Sequence, residues 1–189
     1  MNNKLMIFKY AFIFIPMIFS LELEAHGPAS KTSKMIGGSV NFGSTFNRNL
    51  PSSYTMNLSP SFGYFIANNL PIGLKVNIGV NSIVGSSSIS YGISPFIRRY
   101  FGMSHNRMFI EGQIGYSGNT IPATSSSFSM SAINGDIGIG LANFLNYFVG
   151  IETILGYNIS NPSNLAGLQH HFGFRVGIQV YLSNPGKSQ

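Results

Sequence analysis

From residue 34 onward apolar residues alternate with small polar ones, and the alternation persists through eight segments separated by turn chemistry. A period of two belongs to strands, whose successive side chains point to opposite faces, and not to helices, which repeat near 3.6. Such a chain has to build a sheet with one apolar and one polar face. The first segment sets Ile36, Val40, Phe42 and Phe46 against Gly37, Ser39, Asn41, Gly43 and Thr45. The second sets Tyr54, Met56, Leu58, Phe62 and Tyr64 against Thr55, Asn57, Ser59, Ser61 and Gly63. After Ala67-Asn68-Asn69 the third sets Ile72, Leu74, Val76, Ile78 and Val80 against Gly73, Lys75, Asn77, Gly79 and Asn81.

The fourth segment places Ile89, Tyr91, Ile93, Pro95, Ile97 and Phe101 opposite Ser88, Ser90, Gly92, Ser94, Arg98 and Tyr100. The fifth places Met108, Ile110, Ile114 and Tyr116 opposite Glu111, Gln113, Gly115 and Ser117. In the sixth the phase slips: Phe128, Met130 and Ala132 are in step, whereas Ile133, Ile137, Ile139 and Leu141 are in the other phase. One extra residue restores the apolar face, so a β-bulge is expected near Ala132 and Ile133. The seventh runs Tyr147, Val149, Ile151, Leu155 and Tyr157 against Gly150, Glu152, Gly156 and Asn158. The eighth runs Phe172, Phe174, Val176, Ile178, Val180 and Leu182 against His171, Gly173, Arg175, Gly177, Gln179 and Tyr181.

Composition decides which way the apolar face points. Charged residues are 8% of the 189 and hydrophobic ones 44%, against about a quarter charged in an ordinary soluble domain. A soluble sandwich or barrel turns its apolar face inward and covers the other with Lys and Glu. Here the polar face is mostly Gly, Ser and Asn, which suits the crowded interior of a transmembrane barrel whose apolar band faces lipid. The segments are also long enough to cross a bilayer, which takes about 9 to 11 tilted residues. The expected fold is therefore all-β: an eight-stranded antiparallel up-and-down transmembrane β-barrel, its strands within about residues 34–182. Short turns at Ala67 to Leu70, Gly102 to Asn106 and Asn143 to Asn146 are expected on the periplasmic side. The connections Asn47 to Ser53, Ile83 to Ser87, Asn119 to Ser126 and Ser160 to Leu168 would face outward.

The first 25 residues read differently. Lys4 and Lys9 precede an uncharged run from Tyr10 to Leu21, rich in Phe and Ile, and small residues at Ser20, near its end, and at Ala25, beyond it, offer cleavage points. The run is shorter than the roughly 20 residues of a membrane-spanning helix and has the order of a secretory signal peptide. Cleavage is expected after Ala25, with Ser20 as the alternative, leaving 26–189 as the barrel domain. Removal of Lys4, Lys9, Glu22 and Glu24 takes Lys plus Arg from 11 to 9 and Asp plus Glu from 5 to 3, so the net charge stays at +6. With no Cys in the chain, disulfides, thiolate metal sites and cysteine lipidation are excluded.

Six charges fall on polar faces: Lys75, Arg98 and Arg175 against Glu111, Asp136 and Glu152. They sum to zero, the composition of a narrow lumen closed by a buried ion-pair and hydrogen-bond network, where an unpaired charge would be costly. A charged ion constriction or a catalytic carboxylate pair would use the same residues, but structural pairing explains them without a substrate. The histidines are His26, His105, His170 and His171. The last two are adjacent on a strand and face opposite sides, so they cannot chelate one metal together. No Gly-x-Ser-x-Gly elbow is present. The run Gly135, Gly138, Gly140 lies inside the sixth segment and leads into no phosphate-binding helix, so nucleotide binding has no support. Scattered positive charge at Lys31, Lys34, Arg99, Arg107 and Lys187 suits anionic headgroups better than nucleic acid. Neither an enzyme nor a cofactor is expected.

The phrases Pro60-Ser61-Phe62-Gly63-Tyr64-Phe65-Ile66-Ala67-Asn68-Asn69-Leu70 and Ser94-Pro95-Phe96-Ile97-Arg98-Arg99-Tyr100-Phe101 resemble strand-turn-strand phrases of the small outer-membrane β-barrel domain family, related to OmpA- and OmpX-type barrels. Gly138-Ile139-Gly140-Leu141-Ala142-Asn143-Phe144-Leu145 is similar to that family's sixth-strand end. The likeness covers roughly residues 34 to 182 and specifies no ligand. The closing run Arg175-Val176-Gly177-Ile178-Gln179-Val180-Tyr181-Leu182 is similar to the last-strand signal read by the barrel-assembly machinery, carried by Arg175, Gly177, Val180 and Leu182. It departs from the usual form by ending on Leu182 rather than an aromatic residue and by continuing to Gln189. The resemblance implies a bacterial outer-membrane protein, a monomer in contact with outer-membrane lipid and assembled by that machinery. Its role would be structural or surface-interacting; a narrow pore for ions or small solutes is the alternative, disfavoured because eight strands enclose little more than their own side chains.

Overall fold

A computed structural model describes residues 29–47, 50–83, 86–102, 105–121, 128–163 and 168–182. The leader expected over 1–25, His26 and the tail 183–189 lie outside the described residues. Eight strands follow one another: β1 Lys34–Asn47, β2 Leu50–Ala67, β3 Leu70–Ile83, β4 Ser86–Phe101, β5 Asn106–Ile121, β6 Phe128–Phe144, β7 Val149–Pro162 and β8 Gln169–Leu182. Each pairs antiparallel with its chain neighbour, and β1 closes on β8, so the sheet is a barrel. No helix among the described residues is long and apolar enough to cross a membrane; the crossing elements are the strands.

The apolar face points outward. Ile72, Leu74, Val76, Ile78 and Val80 of β3 are exposed, and so are Ile137, Ile139 and Leu141 of β6. Aromatic residues bracket this aliphatic band, with Tyr54, Tyr91 and Tyr116 toward the loop end of the barrel and Tyr64 and Tyr147 toward the turn end. A band of branched aliphatics between aromatic girdles is the surface that a bilayer solvates.

Two expectations are corrected. The bulge expected near Ala132 and Ile133 is absent: β5 and β6 stay in register from Asn106↔Asn143 to Ile121↔Phe128, and β6 and β7 from Ala132↔Pro162 to Phe144↔Gly150. The phase slip instead marks where β6 leaves the apolar band. Ser129 and Ser131 continue the outward face above Ile133, while Met130 and Ala132 are half-buried on the inner one. Register shifts occur between Thr45 and Asn47 and between Phe65 and Ala67, both at strand ends. The third short turn lies at 145–148, later than Asn143 to Asn146, so Tyr147 belongs to the turn and not to β7. Asn146 explains the shift, because its Oδ1 accepts from the backbone N–H of Phe148 and of Val149 at 2.8 Å each and so holds the chain in a side-chain-capped turn. The first turn is at Asn68-Asn69, where Asn69 takes φ 61°, a left-handed conformation that Asn tolerates better than most residues.

Candidate functional site

The inner face divides into two levels. Toward the turn end it is apolar and aromatic: Met35, Phe65, Phe96, Tyr100, Phe109, Phe144 and Tyr181 are buried together. The rings pack in tilted and stacked pairs, with centroids 5.3 Å apart for Tyr100 and Phe109 and 4.9 Å for Phe144 and Tyr181. Small residues opposite make the room, since a Cβ at Gly140 would land on the Phe109 ring. The N-terminal stretch crosses beneath: Thr32 N–H donates to Phe65 O at 2.9 Å, Phe65 N–H to Ser33 O at 2.9 Å and Asn69 N–H to Ala29 O at 2.8 Å, with Ala29 fully buried. Arg107 ties the same end, donating from Nη1 to Asn69 Oδ1 at 3.0 Å and lying over the Phe144 ring at 5.2 Å.

All six charges singled out from the sequence meet directly above this floor. Glu111 is the hub. It accepts from Lys75 Nζ, and its Oε2 takes Arg98 Nε at 3.0 Å and Nη2 at 2.6 Å. Arg98 bridges onward from Nη1 to Glu152 Oε1 at 2.6 Å. Arg175 holds Asp136 at 2.8 Å and stands 3.9 Å from Glu111. The Arg98 guanidinium also lies over the Phe109 ring at 4.2 Å, so its face as well as its edge is satisfied.

Around Glu152 Oε1 the protons are fewer than the contacts. Tyr100 Oη and Tyr181 Oη each lie 2.9 Å from it and 2.8 Å from each other, and Tyr100 Oη also accepts from Arg98 Nη1 at 2.6 Å. Two hydroxyl protons cannot fill three such contacts at once, so the pair shares them. Glu152 Oε2 is buried without a hydrogen-bond partner among the described residues.

Above the charges the lumen widens into a chamber of about 620 Å³, walled largely by Asn, Ser and Gly and bottomed by Gln113, Asp136 and Arg175. Ser59 donates to Asn77 Oδ1 at 2.8 Å, and Asn134 Nδ2 to Ser117 Oγ at 2.7 Å. His171 lines this chamber while His170 points outward, its Nδ1 2.7 Å from Tyr157 Oη. Among the described residues no cluster of His, Cys, Asp or Glu could hold a metal ion. A shallower hollow of about 630 Å³ lies on the outer wall, where Gly112 and Gly135 leave positions without side chains.

The residues of the last-strand pattern divide between the two faces. Arg175 and buried Gly177 point inward, and Val180 and Leu182 outward, paired with Ile36 and Lys34 of β1. Sequence reading passed over Met35, Phe65, Phe96, Phe109 and Phe144, which build the floor. The available signal was parity: each of these large apolar residues sits in the phase otherwise occupied by Gly, Ser and charge, in the half of its strand toward the turn end of the barrel.

No family model matches the chain, and no curated protein is significantly similar to it in sequence. Solved structures do share its architecture. Neisserial surface protein A superposes with a TM-score of 0.61 at 10% identity, over 78% of this chain and 96% of that one. The N-terminal β-barrel domain of Pseudomonas aeruginosa OprF gives 0.55 at 14% identity, over 80% and 98%. The outer-membrane protein OprG of the same organism gives 0.51 at 12%, over 85% and 100%. With its outward apolar band, its inward charges and these neighbours, the chain has the fold of the eight-stranded outer-membrane β-barrels.

Proposed function

We propose that the chain is an integral protein of the bacterial outer membrane, inserted with its short turns toward the periplasm, and that it serves as a structural and surface-interacting component. It is neither a pore nor an enzyme. The observation that carries this reading is the floor: a layer of buried aromatic rings and a zero-sum set of six charges, each held by an opposite one, fills the lumen across its width. Charges that conduct ions stay separated and hydrated; these are buried and mutually satisfied. Export through the leader, assembly through the last-strand pattern of Arg175, Gly177, Val180 and Leu182, and a monomeric state belong to the same proposal.

Planar-bilayer recording of the purified barrel tests it. The expected record shows at most small, infrequent events. Large, stable, ion-selective steps whose selectivity changes in Glu111→Gln would overturn the closed-floor reading in favour of a pore.

A further inference from the structure

The pairing of β1 with β8 stops halfway up the barrel. It runs from Lys34↔Leu182 to Val40↔Val176, although β1 continues to Asn47 and β8 begins at Gln169. On their other sides the same residues remain paired, Phe42 with Met56 and Phe172 with Tyr157. Both strands are therefore intact, and only their shared edge is unpaired. An open sheet edge at membrane depth is costly unless it borders a polar cavity. This one borders the chamber, whose lining takes in Asn41 and Phe42 on one side of the gap and Phe172 and Phe174 on the other. The three phenylalanines face outward, and Phe172 and Phe42 are among the barest large apolar residues described, at 80% and 70% exposure, with Phe174 at 59% like the rest of the apolar band.

We propose that the upper β1–β8 seam is a lateral mouth through which an amphiphile from the surrounding leaflet lodges an uncharged, hydroxyl-rich headgroup in the chamber, its apolar chain staying against Phe42, Phe172 and Phe174. This inference rests on the membrane reading above. The headgroup chemistry follows from the walls. Amides and hydroxyls such as Asn57, Asn77, Ser90 and Asn134 both donate and accept. The charged groups bordering the chamber floor, Asp136 and Arg175, already hold each other at 2.8 Å, so an ionic headgroup would enter without a free counter-charge. Gln113 Oε1 is buried and has no partner among the described residues, an acceptor suited to a ligand O–H. The volume lies within the range of about 300–1,000 Å³ usual for small-molecule sites. The seam distinguishes an amphiphile from a free sugar, since a soluble ligand needs no opening toward lipid.

The chain contains no Trp and no Cys, so one tryptophan and one cysteine pair can be introduced without competing residues. Phe172→Trp in the full barrel, reconstituted in phosphatidylcholine nanodiscs, is titrated with an alkyl glucoside brominated on its chain and, separately, with chain-brominated phosphatidylcholine. Tyr147→Trp, at the turn end, is the control. The glucoside should quench the seam tryptophan with a preference of about tenfold over the control position, the factor that one or two net hydrogen bonds supply. Adding Phe42→Cys and Phe174→Cys, which would face each other if the pairing register continued, removes two of the three phenylalanines and should weaken the preference; oxidation, which locks the seam, should then abolish what remains, and reduction should bring it back in the same molecules. Asn134→Leu, which puts an apolar side chain into the chamber, should reduce it with the seam open.

Equal quenching by both lipids at both positions would overturn the proposal, as would a preference that survives the locked seam. Competition by free glucose that is as strong after locking as before would assign the chamber to soluble sugars and refute the lateral route. A barrel that inserts and stays non-conducting but shows no glucoside preference removes only this inference. One that does not insert removes the membrane reading itself.

Discussion

Replacing Glu111 by Gln keeps the shape of the side chain and removes one negative charge from the centre of the network. Glu111 is fully buried, with Lys75 4% and Arg98 1% exposed. Among the described residues the carboxylate is the only ion-pair partner of Lys75, while Arg98 retains Glu152 and Arg175 retains Asp136. The substitution leaves Lys75 as a buried ammonium facing an amide that neutralises nothing, and the cluster moves from zero to +1. Breaking a buried pair in this way costs about 3 to 5 kcal/mol, and for a chain of this length that lowers the unfolding midpoint by on the order of 10 °C. The assay is the temperature at which the folded, faster-migrating band disappears from an unboiled gel, checked by circular dichroism. Ile110→Ala is the comparison: that side chain faces lipid, which is as apolar as the side chain itself, so the loss stays below about 1 kcal/mol. Lys75→Met in the Glu111→Gln background restores neutrality and should recover stability, with a coupling of about 0.5 to 3 kcal/mol. If Glu111→Gln costs no more than Ile110→Ala, or if Lys75→Met adds its own full penalty, the charges are not mutually dependent and the reasoning fails.

Other expectations bear on the floor and the envelope. Gly140→Val should overpack the Phe109 ring and cost about 1 to 3 kcal/mol in the same gel assay; wild-type stability would show that the ring has space to move. Tyr181→Phe removes one of the two hydroxyl protons shared around Glu152 Oε1 and should lower stability by about 1 to 3 kcal/mol without raising bilayer conductance. A rise in conductance would place Tyr181 in a gate. The wild-type protein should fractionate with outer membranes and migrate differently with and without boiling; recovery from a carbonate-washed soluble fraction, without detergent, would contradict the membrane reading. Leu182→Ser, at the end of the last strand, should slow assembly in cells while leaving the assembled barrel's unfolding temperature within a few degrees of wild type, and unchanged assembly would detach Leu182 from the recognition pattern.

Side-chain parity is a local property: along a strand each position alone determines which face a residue joins, and eight alternating segments, one of them with a slip, therefore carry the strand number, the outward face and the inward placement of Lys75, Arg98, Glu111, Asp136, Glu152 and Arg175 before any coordinates are known. Parity is silent about height. That Glu111 binds both Lys75 and Arg98 while Asp136 takes Arg175 depends on how far each strand is staggered against the next, which barrel closure sets and no single segment encodes. For the same reason the floor is legible only in part: parity turns Phe65, Phe96 and Phe109 inward, but that they meet as one layer depends on strands distant in sequence bringing them to one level. The slip at Ala132 and Ile133 looked like a bulge because the pattern does not show where a strand leaves the apolar band. The half-open seam between β1 and β8 lies furthest from the sequence, because it joins the first strand to the last, and only their relative stagger decides that pairing ends at Val40↔Val176.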